Sequence, residues 1–358
     1  MVSKQHRVQV LLGGLAVVMV VAVFAFSFSL SNAYHVHAQA AIDGFNHPGN
    51  VLISDQFNNR VIEVNRDKQI VWTFGSGNPT LCNPGLGAVI APNDAERLAG
   101  GLTLIPGTGA AAGAGGFKQN CPDNRVIVVN QGGRIVWQYG TIGISSPLNT
   151  PVFAIQLPNH NILIVDQGNN RVIEVDRNSK KIVWSYGPTS GPGALNSPNS
   201  AELLPNGHIL IADENNNRVI EITRSGNIVW QVGKALGLNV VAFASRLPDG
   251  TTLIADSGNN RVIKVSPDKQ LVFQYFTNKG AGSNPNPNPT GAVQLANGDI
   301  SIADQFNNRA IIIGPNKSIK FQYGMTNVIG SGQDQLYAPY SAVVIGDYTG
   351  QTPPPSTF

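Results

Sequence analysis

Residues 200–232 read SAELLPNGHILIADENNNRVIEITRSGNIVWQV, and they decide the fold. Four short runs, SAELL (200–204), HILIAD (208–213), RVIEIT (218–223) and NIVWQV (227–232), are rich in β-branched and apolar residues. Pro205-Asn206-Gly207, the Asn triplet 215–217 and Ser225-Gly226 separate them. Short β-branched runs punctuated by Pro, Gly, Asn and Asp predict four antiparallel strands joined by tight turns.

The phrase in the middle of this stretch recurs. It reads DQFNNRVIEVNRDKQIVW at 55–72, DQGNNRVIEVDRNSKKIVW at 166–184, DENNNRVIEITRSGNIVW at 213–230, DSGNNRVIKVSPDKQLVF at 256–273 and DQFNNRAIIIGPNKSIKF at 304–321. A damaged copy, DNRVIVVNQGGRIVW, occupies 123–137. The arginines at 60, 125, 171, 218, 261 and 309 are 65, 46, 47, 43 and 48 residues apart, so the first interval holds an insertion. A four-stranded unit cannot bury both its faces alone, whereas six such units around an axis can. The expectation is an all-β, six-bladed β-propeller of four-stranded antiparallel blades over 41–350. Residues 351–358 (QTPPPSTF) read as a disordered tail.

The copies align on an alanine in the innermost strand: Ala95, Ala154, Ala201, Ala244 and Ala292. The first copy has Asp43 at that place. APYSAVVIGD (338–347) resembles SPNSAELLPN (197–206) and offers Ala342 as the sixth alanine. The C-terminal strand is therefore expected to complete the first blade and to leave no free sheet edge between the chain's ends.

The Asp-x-x-Asn-Asn-Arg-Val phrases over residues 47–347 resemble the NHL-repeat family of six-bladed propellers. The hydrophobic-Val-Trp-x-x-Gly endings, such as IVWSYG at 182–187, are similar to the blade motif of quinoprotein-type propellers. The resemblance implies a fold that serves ligand-binding sensors, protein-binding platforms, lyases and hydrolases alike. Function must come from the site.

Lys4, His6 and Arg7, the uncharged stretch Val8–Leu30 and Ala38-Gln39-Ala40 form an export signal over 1–40. The apolar stretch is long enough to span a bilayer, so cleavage after Ala40 and retention as an anchor are both open. Either way the propeller is expected outside the cytoplasm, secreted or held at the membrane only through this segment. Without Lys4 and Arg7, 22 basic residues face 21 acidic ones and no basic run exists, which argues against nucleic-acid binding. Cys82 and Cys121, the only cysteines, are expected to form a disulfide in an oxidising compartment.

Residues present in every copy serve the blade first. Asp55, Asp166, Asp213, Asp256 and Asp304 each precede an Arg by five positions and are read as buried corner pairs; in the damaged copy Gly107 stands at the Asp position and Asp123 is the candidate partner of Arg125. The aromatics Trp72, Trp137, Trp184, Trp230, Phe273 and Phe321 end outer strands and suit packing between blades. Residues that break the repeat are the site candidates. Asn93, Asp94 and Glu96 in the second copy, with Asn199 and Glu202 in the fourth, supply hard oxygen ligands at the tunnel mouth. Asp94, Glu96 and Glu202 are the candidate Ca²⁺ ligands; otherwise no cofactor is implied. Phe57 and Phe306, in identical DQFNNR turns, are expected as an aromatic patch on the loop-rich face. Two functions stand: a non-catalytic binding or sensing scaffold that takes a protein, glycan or small molecule on its loop-rich face, and a Ca²⁺-dependent hydrolase or lyase in the tunnel.

Overall fold

The computed structural model describes residues 44–83, 85, 87–349 and 351–356. Residues 1–40, expected to direct export, and Asp43 lie outside the described residues. Six four-stranded antiparallel sheets form the blades of a propeller. Blade 4 shows the plan, with strands Pro198–Leu203, Ile209–Asp213, Arg218–Ile222 and Ile228–Val232 running from the axis outward. The second and third strands of a blade lie between two neighbouring blades, so both of their faces are covered. This is why they read as continuous apolar runs rather than alternating ones. Six apolar cores alternate with the six blades. Ile211 and Ile220 share one core with Leu163 and Val165 of blade 3, while Leu210 and Val219 share the next with Ile254 and Ile263 of blade 5. Each fully buried Ile or Val contributes roughly 1.5–3 kcal/mol.

The DxxNNR phrase builds one corner repeatedly. In blade 4, Asp213 caps a 3-10 turn over Glu214–Asn216, and Asn217 ends that turn in the left-handed region at φ 53. Asn tolerates that conformation better than other side-chain-bearing residues, which accounts for the second Asn of the phrase. The Asp213 carboxylate accepts from Arg218 Nε at 2.7 Å, from Asn216 Nδ2 at 2.8 Å and from the Asn196 N–H at 2.8 Å. The left-handed Asn then reaches the following blade, since Asn217 Oδ1 accepts the Val240 N–H at 2.7 Å. Val240 itself sits at φ 51, as Ala91, Thr150, Ser197, Asn288 and Ala338 sit at φ 43–53 before their innermost strands. One motif thus closes its own corner and holds the strained first residue of the next blade.

Blade 2 reaches the same result differently. Arg125 pairs with Asp123, as the sequence suggested, at 2.5 Å from Nε to Oδ1. The other Asp123 oxygen accepts the Ile90 N–H at 2.8 Å. A Cβ on Gly107 would lie 2.5 Å from the Asp123 carboxyl carbon, so only glycine leaves room for the displaced carboxylate.

The ring closes through the C-terminal strand. Pro339–Val344 pairs antiparallel with Val51–Asp55, with Ala342 opposite Ile53. The tryptophans latch neighbouring blades: Trp72, Trp137, Trp184 and Trp230 donate their indole N–H to the carbonyls of Gln131, Arg177, Arg224 and Pro267 in the next blade. The tail expectation needs correction over 351–356. Thr352 is buried, and its hydroxyl exchanges hydrogen bonds with the Leu203 N–H and C=O, both at 3.0 Å. A paired backbone edge at Leu203, rather than tail composition, orders that residue.

Candidate functional site

The innermost strands turn one backbone edge toward the axis, and its N–H groups need acceptors. The residues flanking the repeated alanine supply them. Glu96 of blade 2 accepts the Gln156 N–H of blade 3 at 2.8 Å, and Glu202 of blade 4 accepts the Arg246 N–H of blade 5 at 2.8 Å. Asp94 accepts from the N–H groups of Ala95 and Ala154 and from the Ser341 hydroxyl. The repeat-breaking carboxylates therefore bridge the inner edges of adjacent blades.

All five predicted tunnel residues, Asn93, Asp94, Glu96, Asn199 and Glu202, line one axial cavity of about 50 Å³. Phe153 and Phe243 pack edge-to-face on each other in its wall, with ring centroids 6.0 Å apart. Burial dominates the electrostatics. It raises Asp94 to about 7 against the pull of its three donors, and Glu202 to about 8 against the Arg246 N–H and charge. Burial also lifts Glu96 well above the ordinary carboxylate range, helped by the neighbouring Asp94 charge. Arg97 is the one basic residue on the wall, and it is committed elsewhere: it pairs with Glu63 at 2.7 Å and lies over the rings of Phe45 and Trp72. Among the described residues no group of three or more His, Cys, Asp or Glu is arranged to hold a metal ion. The carboxylates read as candidate Ca²⁺ ligands accept main-chain N–H groups.

Asn93 and Asn199 belong to a network that closes the loop-face end of the tunnel. Gln305 Nε2 donates to Gln56 Oε1 at 3.0 Å, and Gln56 Nε2 donates to Asn93 Oδ1 at 2.8 Å. Asn199 Nδ2 donates to the Tyr340 hydroxyl at 2.7 Å and to Glu214 Oε2 at 2.6 Å, and Gln167 Nε2 reaches the same Glu214 oxygen at 2.9 Å. Gln56, Gln167, Glu214 and Gln305 each follow a corner Asp, and that position is polar in all six copies. This regularity was the available signal for them. Tyr340 carried none, because its place at the axis depends on ring closure. At the opposite end the tail crosses the tunnel: the Tyr348 hydroxyl donates to the Arg97 carbonyl at 3.2 Å, and Thr352 grips Leu203.

On the loop-rich face the Phe57–Phe306 patch is corrected. Phe57 is buried against Phe117 of the blade 2 insertion and Tyr337, with centroids 6.5 and 5.3 Å away, and Phe306 packs half-buried on the same cluster. A Cβ on Gly115 would meet the Phe57 ring at 2.4 Å, so the insertion's backbone lies directly on that ring. The expected disulfide joins Cys82 to Cys121, with Cα atoms 5.0 Å apart, and ties the insertion to the loop that links blades 1 and 2. Beside the insertion runs a groove of about 550 Å³, walled by Thr108–Ala111, Asn120, Pro122 and the linker residues Ile144, Ser146 and Leu148–Thr150. Ile144 stands on its rim, 91% exposed.

Comparison with known proteins bears on the fold and the family. Virginiamycin B lyase from Staphylococcus aureus superposes with a TM-score of 0.52 at 15% identity, over 82% of this chain and 85% of the lyase chain. A protein of unknown function from Bacteroides caccae gives 0.60 at 14% identity, over 84% and 99%. A chain of the nidogen/laminin complex gives 0.54 at 11%, over 83% and 98%. At these identities the likeness is one of fold. No curated protein matches the sequence. The profile of PQQ_2, described as outer membrane protein assembly factor BamB, matches residues 122–303. That span runs from the corner of blade 2 to the second strand of blade 6. It takes in just over half of the 358 residues, so this six-bladed propeller belongs to the PQQ_2, BamB-type family.

Proposed function

We propose that the chain is a non-catalytic binding scaffold working outside the cytoplasm, which takes a segment of a partner protein on its loop-rich face. The groove beside the blade 2 insertion carries this reading. It is the roomier of the two cavities described, it opens on irregular loops held by a rigid ring, and it presents Ile144 as an uncovered apolar anchor. Polar walls beside an apolar rim suit an extended peptide, whose backbone needs hydrogen-bond partners while one side chain is buried. The Cys82–Cys121 bond supports an oxidising compartment, as the export signal does. The family's description as an assembly factor agrees with protein binding. The NHL-type resemblance adds nothing that decides between ligands.

The alternative, a hydrolase or lyase in the tunnel, has less support. Glu96 and Glu202 each have one oxygen tied to a main-chain N–H of the next blade. A histidine-to-alanine form of the virginiamycin B lyase is described as catalytically inactive, and no histidine lines the cavity here. The test is photo-crosslinking of the exported chain, with the reactive group placed at Ile144 or, as control, at Asn206 on the opposite face. Discrete protein adducts from position 144 and none from 206 are expected. Equal labelling from both positions, or turnover of ester or lactone substrates that Glu202→Gln abolishes, overturns the proposal.

A further inference from the structure

The axial cavity holds more acid than its walls use. Glu96 and Glu202 each accept a main-chain N–H at Oε2, and among the described residues no hydrogen bond reaches either Oε1. Arg97, the basic residue on the wall, is spent on Glu63. The Ser245 hydroxyl supplies an independent observation. Ser245 is 1% exposed, lines the same cavity at the repeat position that Glu202 holds in blade 4, and its Oγ has no partner. A buried hydroxyl left unpaired is costly, and at Glu202 burial outweighs the Arg246 charge. The remaining wall is apolar and aromatic, led by Phe153 and Phe243.

We infer that the tunnel is a binding site for a small organic ammonium ion, whose N–H groups face the second oxygen of Glu202 and the Ser245 hydroxyl while its carbon body packs on Phe153 and Phe243. Ammonium donors match these two acceptors, and the aromatic faces favour a cation. The positive charge also removes the reason the Glu202 carboxyl resists ionisation, so binding releases a proton to solvent. A volume of about 50 Å³ admits a guest of roughly three to five heavy atoms. The tail residues Tyr348 and Thr352 lie over the end of the tunnel through which it enters, opposite the Gln56–Asn93 network. This inference goes beyond the loop-face reading and is independent of it, since the tunnel and the groove share no residue.

The test follows the methyl resonances of Ile155 and Val343, which line the tunnel, while ethylammonium chloride, ethanol or calcium chloride is added to the full chain. Ethylammonium is expected to shift these methyls saturably, with a Kd on the order of 1 mM, near the ceiling for three heavy atoms. Ethanol, its neutral isostere, is expected to leave them in place. Glu202→Gln keeps an acceptor for the Arg246 N–H and is expected to weaken ethylammonium at least about tenfold, the effect of losing one charge-assisted hydrogen bond. Three results would overturn the site: no saturable shift up to about a hundred times that concentration, ethanol acting as well as ethylammonium, or calcium moving the methyls while ethylammonium does not. The wild-type comparison of ethylammonium with ethanol decides the matter even if the variant fails to fold.

Discussion

Blade 4 follows the repeat at its corner, its turn and its seam, and blade 2 departs from it in all three places. At the corner, blade 4 has Asp213 opposite Arg218, where blade 2 has Gly107 opposite Arg125 and brings its carboxylate from Asp123. Between the second and third strands blade 4 has one 3-10 turn, whereas blade 2 has an insertion pinned by a disulfide. At the seam with the following blade, Glu221 of blade 4 pairs with Arg246 at 3.1 Å, while blade 2 offers Val128 at the place of Glu221 and blade 3 presents Gln156 at the place of Arg246. What survives all three changes is the satisfaction of the buried corner Arg and of the incoming main-chain N–H. What varies is the display on the loop face. The repeat thus specifies hydrogen-bond closure more strictly than residue identity, which is how one blade could become a binding module without opening the ring.

The largest expected effect comes from restoring the repeat where it was abandoned. Gly107→Asp places a second carboxylate on the space that Asp123 fills, and its Cβ alone would lie 2.5 Å from the Asp123 carboxyl carbon. The variant is expected to be recovered unfolded or not at all, and Gly107→Asp with Asp123→Gly to regain most of the melting temperature. If the single variant melts like wild type, the displaced-carboxylate account of blade 2 is wrong.

Removing the corner acid ranks next. Asp213→Ala strands the Asn196 N–H and takes one partner each from the Arg218 guanidinium and the Asn216 amide, but Arg218 keeps the carbonyls of Pro192 and Ala194, Asn216 keeps that of Ala194, and the Arg218 side chain is 17% exposed. Asp123→Ala strands Arg125 at 1% exposure with one carbonyl left, that of Ala88. Breaking a buried pair costs about 3–5 kcal/mol, so chemical denaturation should put Asp213→Ala near the lower figure and Asp123→Ala near the upper. The reverse order would show that depth of burial does not distinguish the two corners.

How much of this was legible in the sequence follows from the range of the interactions. Strands, turns and blade number depend on local patterning, so DxxNNR and its spacing sufficed. Closure by Pro339–Val344 was legible because a missing Ala at one end of the chain was matched by a surplus one at the other. Asn93, Asp94, Glu96, Asn199 and Glu202 were visible as departures from the repeat, and they do share a cavity. Their role was not legible, because it depends on which N–H of the adjacent blade each oxygen meets. Phe57 was misplaced for a similar reason. Its turn is identical to that of Phe306, and what buries it is an insertion from another blade folding over the ring.

A smaller effect tests what blades 2 and 4 have in common, the tunnel carboxylates. Burial raises Asp94 from 3.8 to about 7 and Glu202 from 4.5 to about 8, so the folded chain holds protons that the unfolded chain releases. Stability from these groups is therefore full below about pH 4 and is lost as pH rises toward 8. The melting temperature should fall between pH 5 and pH 8. Glu202→Gln should flatten that fall by an amount corresponding to about 2–4 kcal/mol. Glu174 and Glu221, whose carboxyls are held below their ordinary range, act only at lower pH and do not obscure this window. A melting temperature that rises across the window would mean the tunnel carboxylates are solvated.

The smallest effect concerns the seam. Gln156 is fully buried, and neither its amide nitrogen nor its amide oxygen has a hydrogen-bond partner. Its counterpart Arg246 has Glu221, and Arg97 has Glu63, but the matching position of blade 2 is Val128. An unpaired buried amide costs about 1–3 kcal/mol, and an apolar side chain of the same length removes that cost while keeping most of the packing. Gln156→Met should therefore stabilise the chain by about 1 kcal/mol in denaturant titration, whereas Arg246→Met, which breaks a working pair, should destabilise it. The contrast isolates the pairing from the packing, since both substitutions put the same thioether at the same place in the repeat. If Gln156→Met is as damaging as Arg246→Met, a water or another partner completes the blade 2 seam, and the two blades differ there less than their sequences do.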